Sequence, residues 1–216
     1  MNKKKLTVLV TSLALVGMIG IGASLAYMTD NDTATNVITM GHVDVDLTEP
    51  NYPGGNKGGE IDNVKPGDNI IKDPTITVQE GSADTFVRVS INITGLTDGQ
   101  KNQLLETNQN GTYKYFDINL SNWKESEGYF YYVGTYAEGQ KAGVLKAGQS
   151  VELFKNVKIP STWGNEMADK SFNIVVKAEA IQADNFDPAE LNGVYGWYAD
   201  GQPVKAETYT QKTVNQ

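Results

Sequence analysis

Val87-Arg88-Val89-Ser90-Ile91-Asn92-Ile93 alternates apolar and polar residues without a break. A period of two puts Val87, Val89, Ile91 and Ile93 on one face and Arg88, Ser90 and Asn92 on the other, which is the signature of a half-buried strand. Just upstream, Ile76 and Val78 alternate with threonines, and Gly81-Ser82-Ala83-Asp84 separates this strand from the first as a short connection. Downstream, Phe116, Ile118 and Leu120 share a face, Lys124 to Gly128 reads as a turn, and Tyr129 to Tyr136 reads as an aromatic return strand. The expectation there is a hairpin.

The same period governs the rest. Val43, Val45 and Leu47 oppose Asp44 and Asp46, Val151, Leu153, Val157 and Ile159 follow Lys146-Ala147-Gly148-Gln149, and Phe172, Ile174, Val176, Ala178 and Ala180 form a last strong strand. Lys65-Pro66-Gly67-Asp68, also followed by apolar alternation, echoes Lys146 to Gln149, so the two stretches read as equivalent edge strands. Helical signals are few. Thr97 with Gln100 three residues on is a capping box that starts a short helix docked by Leu104 and Leu105. Asp187-Pro188-Ala189-Glu190-Leu191 reads as a second short helix, with Asp187 as cap and Pro188 in the first turn. Trp197 is expected to pack back on the domain. Seven or eight strands without βαβ alternation predict an all-β fold, an antiparallel β-sandwich of jelly-roll or immunoglobulin-like type with one or two short helices.

The N-terminus reads differently. Lys3, Lys4 and Lys5 precede an apolar run from Leu6 to Leu25, and Ser24 and Ala26 are the small residues a signal peptidase reads before a cut at Tyr27. A signal-peptide helix preceding the sandwich is therefore expected, with an uncleaved membrane anchor as the competing reading, since the run is long enough to span a bilayer. The expected organisation is a signal peptide (1–26), an N-terminal segment (27–40), a sandwich domain (41–200) and a flexible C-terminal tail (201–216).

Composition excludes several functions. The formal net charge of −8, with 18 Lys and Arg against 26 Asp and Glu, suits neither nucleic acid nor an anionic membrane. With no cysteine, the chain has no thiolate catalysis, no thiolate metal site and no disulfide. His42 is the one histidine, the metalloprotease motif His-Glu-x-x-His is absent, and His42 is read as a surface residue. Asp44 and Asp46 are weighed as calcium ligands and read as the wet face of a strand, since no loop supplies ligands at alternate positions. Tyr113, Tyr115, Tyr129, Tyr131, Tyr132 and Tyr136 concentrate around one hairpin, where core and cross-strand packing outweighs a glycan- or protein-binding face. No catalytic residue, metal ligand or cofactor is called.

Ala26-Tyr27-Met28-Thr29-Asp30, the threonine-rich Asn31 to Thr39, Gly41 and Val43-x-Val45-x-Leu47 resemble the TasA/camelysin (CalY) family of exported Gram-positive proteins. The likeness continues through Val64-Lys65-Pro66-Gly67-Asp68, Ala83-Asp84-Thr85-Phe86-Val87-Arg88-Val89 and Leu153-Phe154 to Ala183. The resemblance implies a jelly-roll subunit of biofilm-matrix or cell-surface fibres, exported through the signal peptidase SipW and located outside the cell. It implies head-to-tail homopolymers in which Tyr27 to Thr39, with Tyr27, Thr33, Thr35, Val37 and Thr39 as its donor-strand residues, adds as a strand to the next subunit. An accessory matrix protein is a further candidate partner. The family also carries a metalloendopeptidase label, which makes a cell-surface protease the alternative, and a monomeric adhesin using the tyrosine hairpin is a third class.

Overall fold

A computed structural model describes residues 42–53, 59–167, 170–184, 186–204 and 206–210, all within a unit spanning Gly41–Gln216. The expected signal peptide, its expected cleavage residues and the expected donor segment lie outside the described residues.

The alternating stretch is the centre of the fold. Strand β4 (Thr85–Thr94) pairs antiparallel along its whole length with β10 (Asn173–Gln182), from Asn173↔Thr94 to Gln182↔Thr85. On its other edge β4 meets β6 (Tyr129–Tyr132) and β7 (Val144–Leu145), and β5 (Trp123–Ser126) follows β6. With β14 (Glu207–Thr210) beyond β10, this is one large antiparallel sheet. The inward residues Val87, Val89, Ile93, Val176, Ala178 and Ala180 pack with Val45, Leu47, Ile76, Val78, Leu153 and Val157 from the opposite layer in a single apolar core. The architecture is an all-β, antiparallel sandwich with, among the described residues, one α-helix, α1 (Asp98–Leu104), capped as expected by Thr97 and Gln100.

The opposite layer holds β1 (Val45–Thr48), β2 (Asn69–Ile71), β3 (Thr75–Val78), β8 (Ser150–Glu152) and β9 (Asn156–Lys158). Here the echo between Lys65 to Asp68 and Lys146 to Gln149 becomes a local two-fold. β2 pairs with β9 and β3 with β8 in one unbroken register, from Asn69↔Lys158 to Thr77↔Ser150. Lys72 N–H to Lys155 O (3.0 Å) and Leu153 N–H to Pro74 O (3.1 Å) carry the ladder across the gap. Each turn closes the same way: Asp68 N–H donates to Lys65 O, and Gln149 N–H to Lys146 O, both at 3.0 Å. Each also takes its first N–H onto the fourth side chain, Lys65 onto Asp68 Oδ2 (2.7 Å) and Lys146 onto Gln149 Oε1 (2.8 Å). Gly67 and Gly148 sit at φ 91° and 77°, which glycine adopts without steric cost. The two segments pair with each other: β8 lies at the edge of the β1-β3-β8 sheet and β2 and β9 form a two-stranded ladder, so edge positions are found for these three strands, while β3 lies between β1 and β8.

Other readings are corrected. Asp187–Leu191 is a strand, β11, not a helix, and pairs with β12 (Val194–Ala199), which pairs with β13 (Gln202–Pro203). The reason is Asn192-Gly193 between β11 and β12, with φ 53° and 81° at the two central positions, the conformation of a type I′ hairpin turn. Asp200-Gly201 turns β12 into β13 in the same way, so part of the expected flexible tail is strand, and β14 beyond it pairs with β10. The aromatic hairpin is shifted: Trp123–Ser126 is its first strand, turning at Glu127-Gly128, and Phe116 makes only an isolated bridge to Val157. Trp197 packs back as expected, 3% exposed, in a second cluster on the outer face of the large sheet with Phe86, Tyr131 and Ile181.

Candidate functional site

Among the described residues, β10 is paired unequally on its two edges. β14 covers its outer edge only from Lys177↔Thr210 to Ala180↔Glu207, while β4 covers the other edge throughout. Among the described residues, Asn173–Val176 therefore has no strand partner on its outer edge. A row of unpaired N–H and C=O groups on such an edge is a ready template for another strand. These residues bound a groove of ≈ 1480 Å³ between the layers. Ile70, Val157 and Ile159 come from one layer and Ile174 and Val176 from the other, and Glu60, Asp62 and Lys170 line the same groove. Val64 and Val175, 37% and 38% accessible, are exposed apolar side chains on the same lining.

The wall opposite β10 is held by buried charge. Lys72 Nζ lies 2.5 Å from Glu49 Oε1, and the two side chains are 11% and 4% exposed. The ammonium also sits 5.0 Å from the centre of the Tyr52 ring, whose hydroxyl donates to Gly59 O at 3.0 Å. Burial, and then the Glu49 charge, push the Tyr52 hydroxyl above its ordinary pKa, so it stays a neutral donor. Asp73, 1% exposed, accepts from Asn51 N–H (3.0 Å) and Asn51 Nδ2 (2.7 Å). The segment after β1 is thus fastened to the ladder beside the groove by ionic hydrogen bonds, which exceed neutral ones in strength.

His42 is exposed and lies at the opposite end of the sandwich, where its carbonyl accepts from Ala83 N–H at 3.0 Å. From His42 the chain runs along β1 to Glu49 at the groove, roughly 23 Å at an extended rise of about 3.3 Å per residue. Asp46 lies on β1 opposite Thr77, and Asp44 just precedes the strand, its backbone N–H donating to Ser82 Oγ at 3.1 Å. Among the described residues no three His, Cys, Asp or Glu side chains gather into a possible metal site.

The tyrosines do not form one face. Tyr132 packs edge-on to Trp123 and Tyr113 to Phe130 within the main core, whereas Tyr131 meets Tyr195 and Trp197 on the outer face of the large sheet. The charge at the centre of that outer cluster is Arg88. Its guanidinium lies 4.0 Å from the Tyr129 ring and 4.9 Å from Trp197, donates from Nε to Glu179 (2.7 Å) and from Nη1 to Tyr131 Oη (2.8 Å), and pairs through Nη2 with Glu179. Burial alone would lower its pKa, but the Glu179 and Tyr131 bonds outweigh burial and raise it. Stacked on Trp197 of β12 and bonded to Glu179 and Tyr131, Arg88 fastens the β11–β13 sheet to the outer face.

A family model described as camelysin metallo-endopeptidase matches residues 1–108. The chain belongs to the camelysin family. No curated protein and no solved structure matches it. The family's description implies a metal, and the described residues of this camelysin-family chain do not fit one: a catalytic site takes three protein ligands, usually with histidine, and His42 stands without a second histidine or a grouped pair of carboxylates. Among the described residues no helix is long and apolar enough to cross a membrane.

The buried Glu49–Lys72 pair was legible only indirectly. Lys72 occupies an apolar phase of the Ile70-x-Lys72-x-Pro74-x-Ile76-x-Val78 alternation, and a charge in such a phase signals a buried partner. The uneven pairing of β10 among the described residues had no sequence signal, because pairing between β10 and β14 is set by tertiary register.

Proposed function

We propose that this protein is an exported structural subunit that polymerises head-to-tail, its N-terminal segment from Tyr27 to Thr39 adding as a strand to the groove of the next copy. The product is an extracellular biofilm-matrix or cell-surface fibre. The observation that carries this reading is the Asn173–Val176 stretch of β10, which among the described residues has a strand partner on one edge alone and bounds a groove lined by Ile70, Val157, Ile159, Ile174 and Val176 together with charged side chains. The chain upstream of His42 enters the domain at one end, and the groove opens at the other. A strand supplied by one copy to another joins unlike surfaces, so the contact does not close and filaments follow. Main-chain pairing supplies affinity, and the alternating side chains of the donor supply register. SipW would generate the Tyr27 N-terminus by cutting after Ala26, and an accessory matrix protein is a further candidate partner.

Electron microscopy of the chain starting at Tyr27 is expected to show fibres, and the chain starting at Gly41 is expected to remain monomeric and folded. Equal polymerisation of both chains would remove strand donation. The family description favours a second reading, a metallo-endopeptidase. Casein hydrolysis lost on chelation and in His42→Ala would carry it.

A further inference from the structure

The ladder of β2 and β9 has two faces. Ile70 and Val157 turn inward and line the groove, so Asn69 of β2 and Asn156 and Lys158 of β9 turn outward. The chain at 115–117 runs alongside β9: Lys158 N–H donates to Tyr115 O at 2.8 Å, and Phe116 bridges Val157. Phe116 is buried, so by the alternation of an extended chain Tyr115 and Asp117 stand on the outer side, level with those ladder residues. The five outward side chains line a cavity of ≈ 250 Å³. We propose that this cavity is a glycan-binding site that takes one pyranose ring of a neutral polysaccharide. Strand addition is not needed for it, because the groove and the cavity use opposite faces of one ladder.

Three features carry it. The first is a row of polar groups already set in place. Asn69 Nδ2 donates to Asn156 Oδ1 (3.0 Å), Asn156 Nδ2 donates to Asp117 Oδ2 (3.0 Å), and the N–H groups of Lys155 and Asn156 hold Asp117 Oδ1 at 2.8 and 2.9 Å. A carboxylate accepts hydroxyl hydrogens, and a side-chain amide both donates and accepts, which matches adjacent ring hydroxyls that do both. Because these groups already hold one another, ordering them costs little on binding. The second feature is Tyr115, half-buried on the same lining, whose ring offers apolar surface to the C–H side of a sugar while its hydroxyl stays polar. The third is size and charge. The volume falls below the range of about 300–1,000 Å³ usual for larger ligands, which suits one ring and not a nucleotide. Lys114 at the rim is paired with Glu106, so Lys158 and Asp117 balance each other and no surplus cation is left for an acidic sugar.

The test titrates soluble, isotope-labelled chain beginning at Tyr27 with tetrasaccharides of glucose, galactose, mannose, N-acetylglucosamine and glucuronate, and follows side-chain amide signals by NMR. The Asn69 and Asn156 amides are expected to shift saturably with at least one of the neutral sugars. Asn69→Ala and Tyr115→Ala are each expected to weaken that binding by about five- to tenfold, as the loss of one hydrogen bond or of the stacking surface does. Tyr115→Phe, which keeps the ring, is expected to retain it. Asn69 is exposed, so Asn69→Ala decides even where Tyr115→Ala fails to fold. Any of three results overturns the site: no neutral sugar shifts the two amides, Asn69→Ala leaves the affinity unchanged, or the glucuronate tetrasaccharide binds more tightly than every neutral one.

Discussion

Segments 65–78 and 146–159 share a turn, a ladder and a local two-fold, yet they differ where they are most buried. The positions that hold Leu153 and Phe154 in the second segment, 1% and 2% exposed, hold Lys72 and Asp73 in the first, 9% and 1% exposed. The second segment obeys the ordinary rule for a core and packs Phe154 edge-on to Phe116 at 5.0 Å. The first buries charge, and each charge is answered from the segment after β1: Lys72 by Glu49, Asp73 by Asn51. Burying an ion pair contributes little net stability compared with apolar packing of the same volume. What it does supply is a fixed position for the groove wall that faces Asn173–Val176 of β10. The half of the ladder that departs from the core rule is the half beside the proposed docking site.

Substitutions at matched positions break this comparison. Phe154→Ala is expected to cost about 3–5 kcal/mol in urea unfolding, through loss of burial plus the cavity left behind. Asp73→Ala, at the matched position, is expected to cost less, about 1–3 kcal/mol, by leaving Asn51 without its acceptor, and to slow fibre growth where Phe154→Ala only destabilises. The ion pair gives the next effect. Lys72→Leu alone leaves Glu49 buried without its cation, at roughly 3 kcal/mol, whereas Lys72→Leu with Glu49→Leu is expected to return close to the starting stability. Additive losses in the double variant would contradict the role given to the pair.

The turns sharpen the likeness between the segments. Gly67→Ala and Gly148→Ala force an L-residue into the left-handed region and are each expected to cost about 1 kcal/mol, equal within error if the two-fold is energetic as well as geometric. A smaller effect distinguishes the segments again. Asp117 braces only the second, accepting from Lys155 N–H (2.8 Å), Asn156 N–H (2.9 Å) and Asn156 Nδ2 (3.0 Å). Partial burial would raise its pKa, but these hydrogen bonds outweigh burial and lower it. A depressed carboxylate contributes stability above the ordinary aspartate range and loses it as pH falls through the folded value. Asp117→Asn is expected to flatten that acid-side decline slightly in thermal melts between about pH 5 and 2.

How much of this was written in the sequence depended on the range of the forces involved. β4, β10 and α1 were legible because alternation and the Thr97–Gln100 cap act over a few residues. The two-fold was visible as the repeated Lys-x-Gly-x turn but not as a pairing, since pairing joins residues far apart in the chain. Asp187–Leu191 went the other way. Its Asp-Pro start imitates a helix cap, and the Asn192-Gly193 turn, followed by packing of Trp197 against Tyr131, overrides that local preference. Arg88 was seen as the polar phase of a strand, while the cluster around it is assembled from β6, β10 and β12 and left no local mark.

The central claim is that a strand from one copy enters the groove of another, and the absence of cysteine makes it directly measurable. Chains carrying a single cysteine at position 33, 35, 37 or 39 are each mixed with the Val175→Cys chain and assembled under mild oxidation. The account predicts a disulfide-linked heterodimer on a non-reducing gel for at least one donor position, formed only when fibres form. Fibres that assemble with no heterodimer from any of the four positions would contradict it.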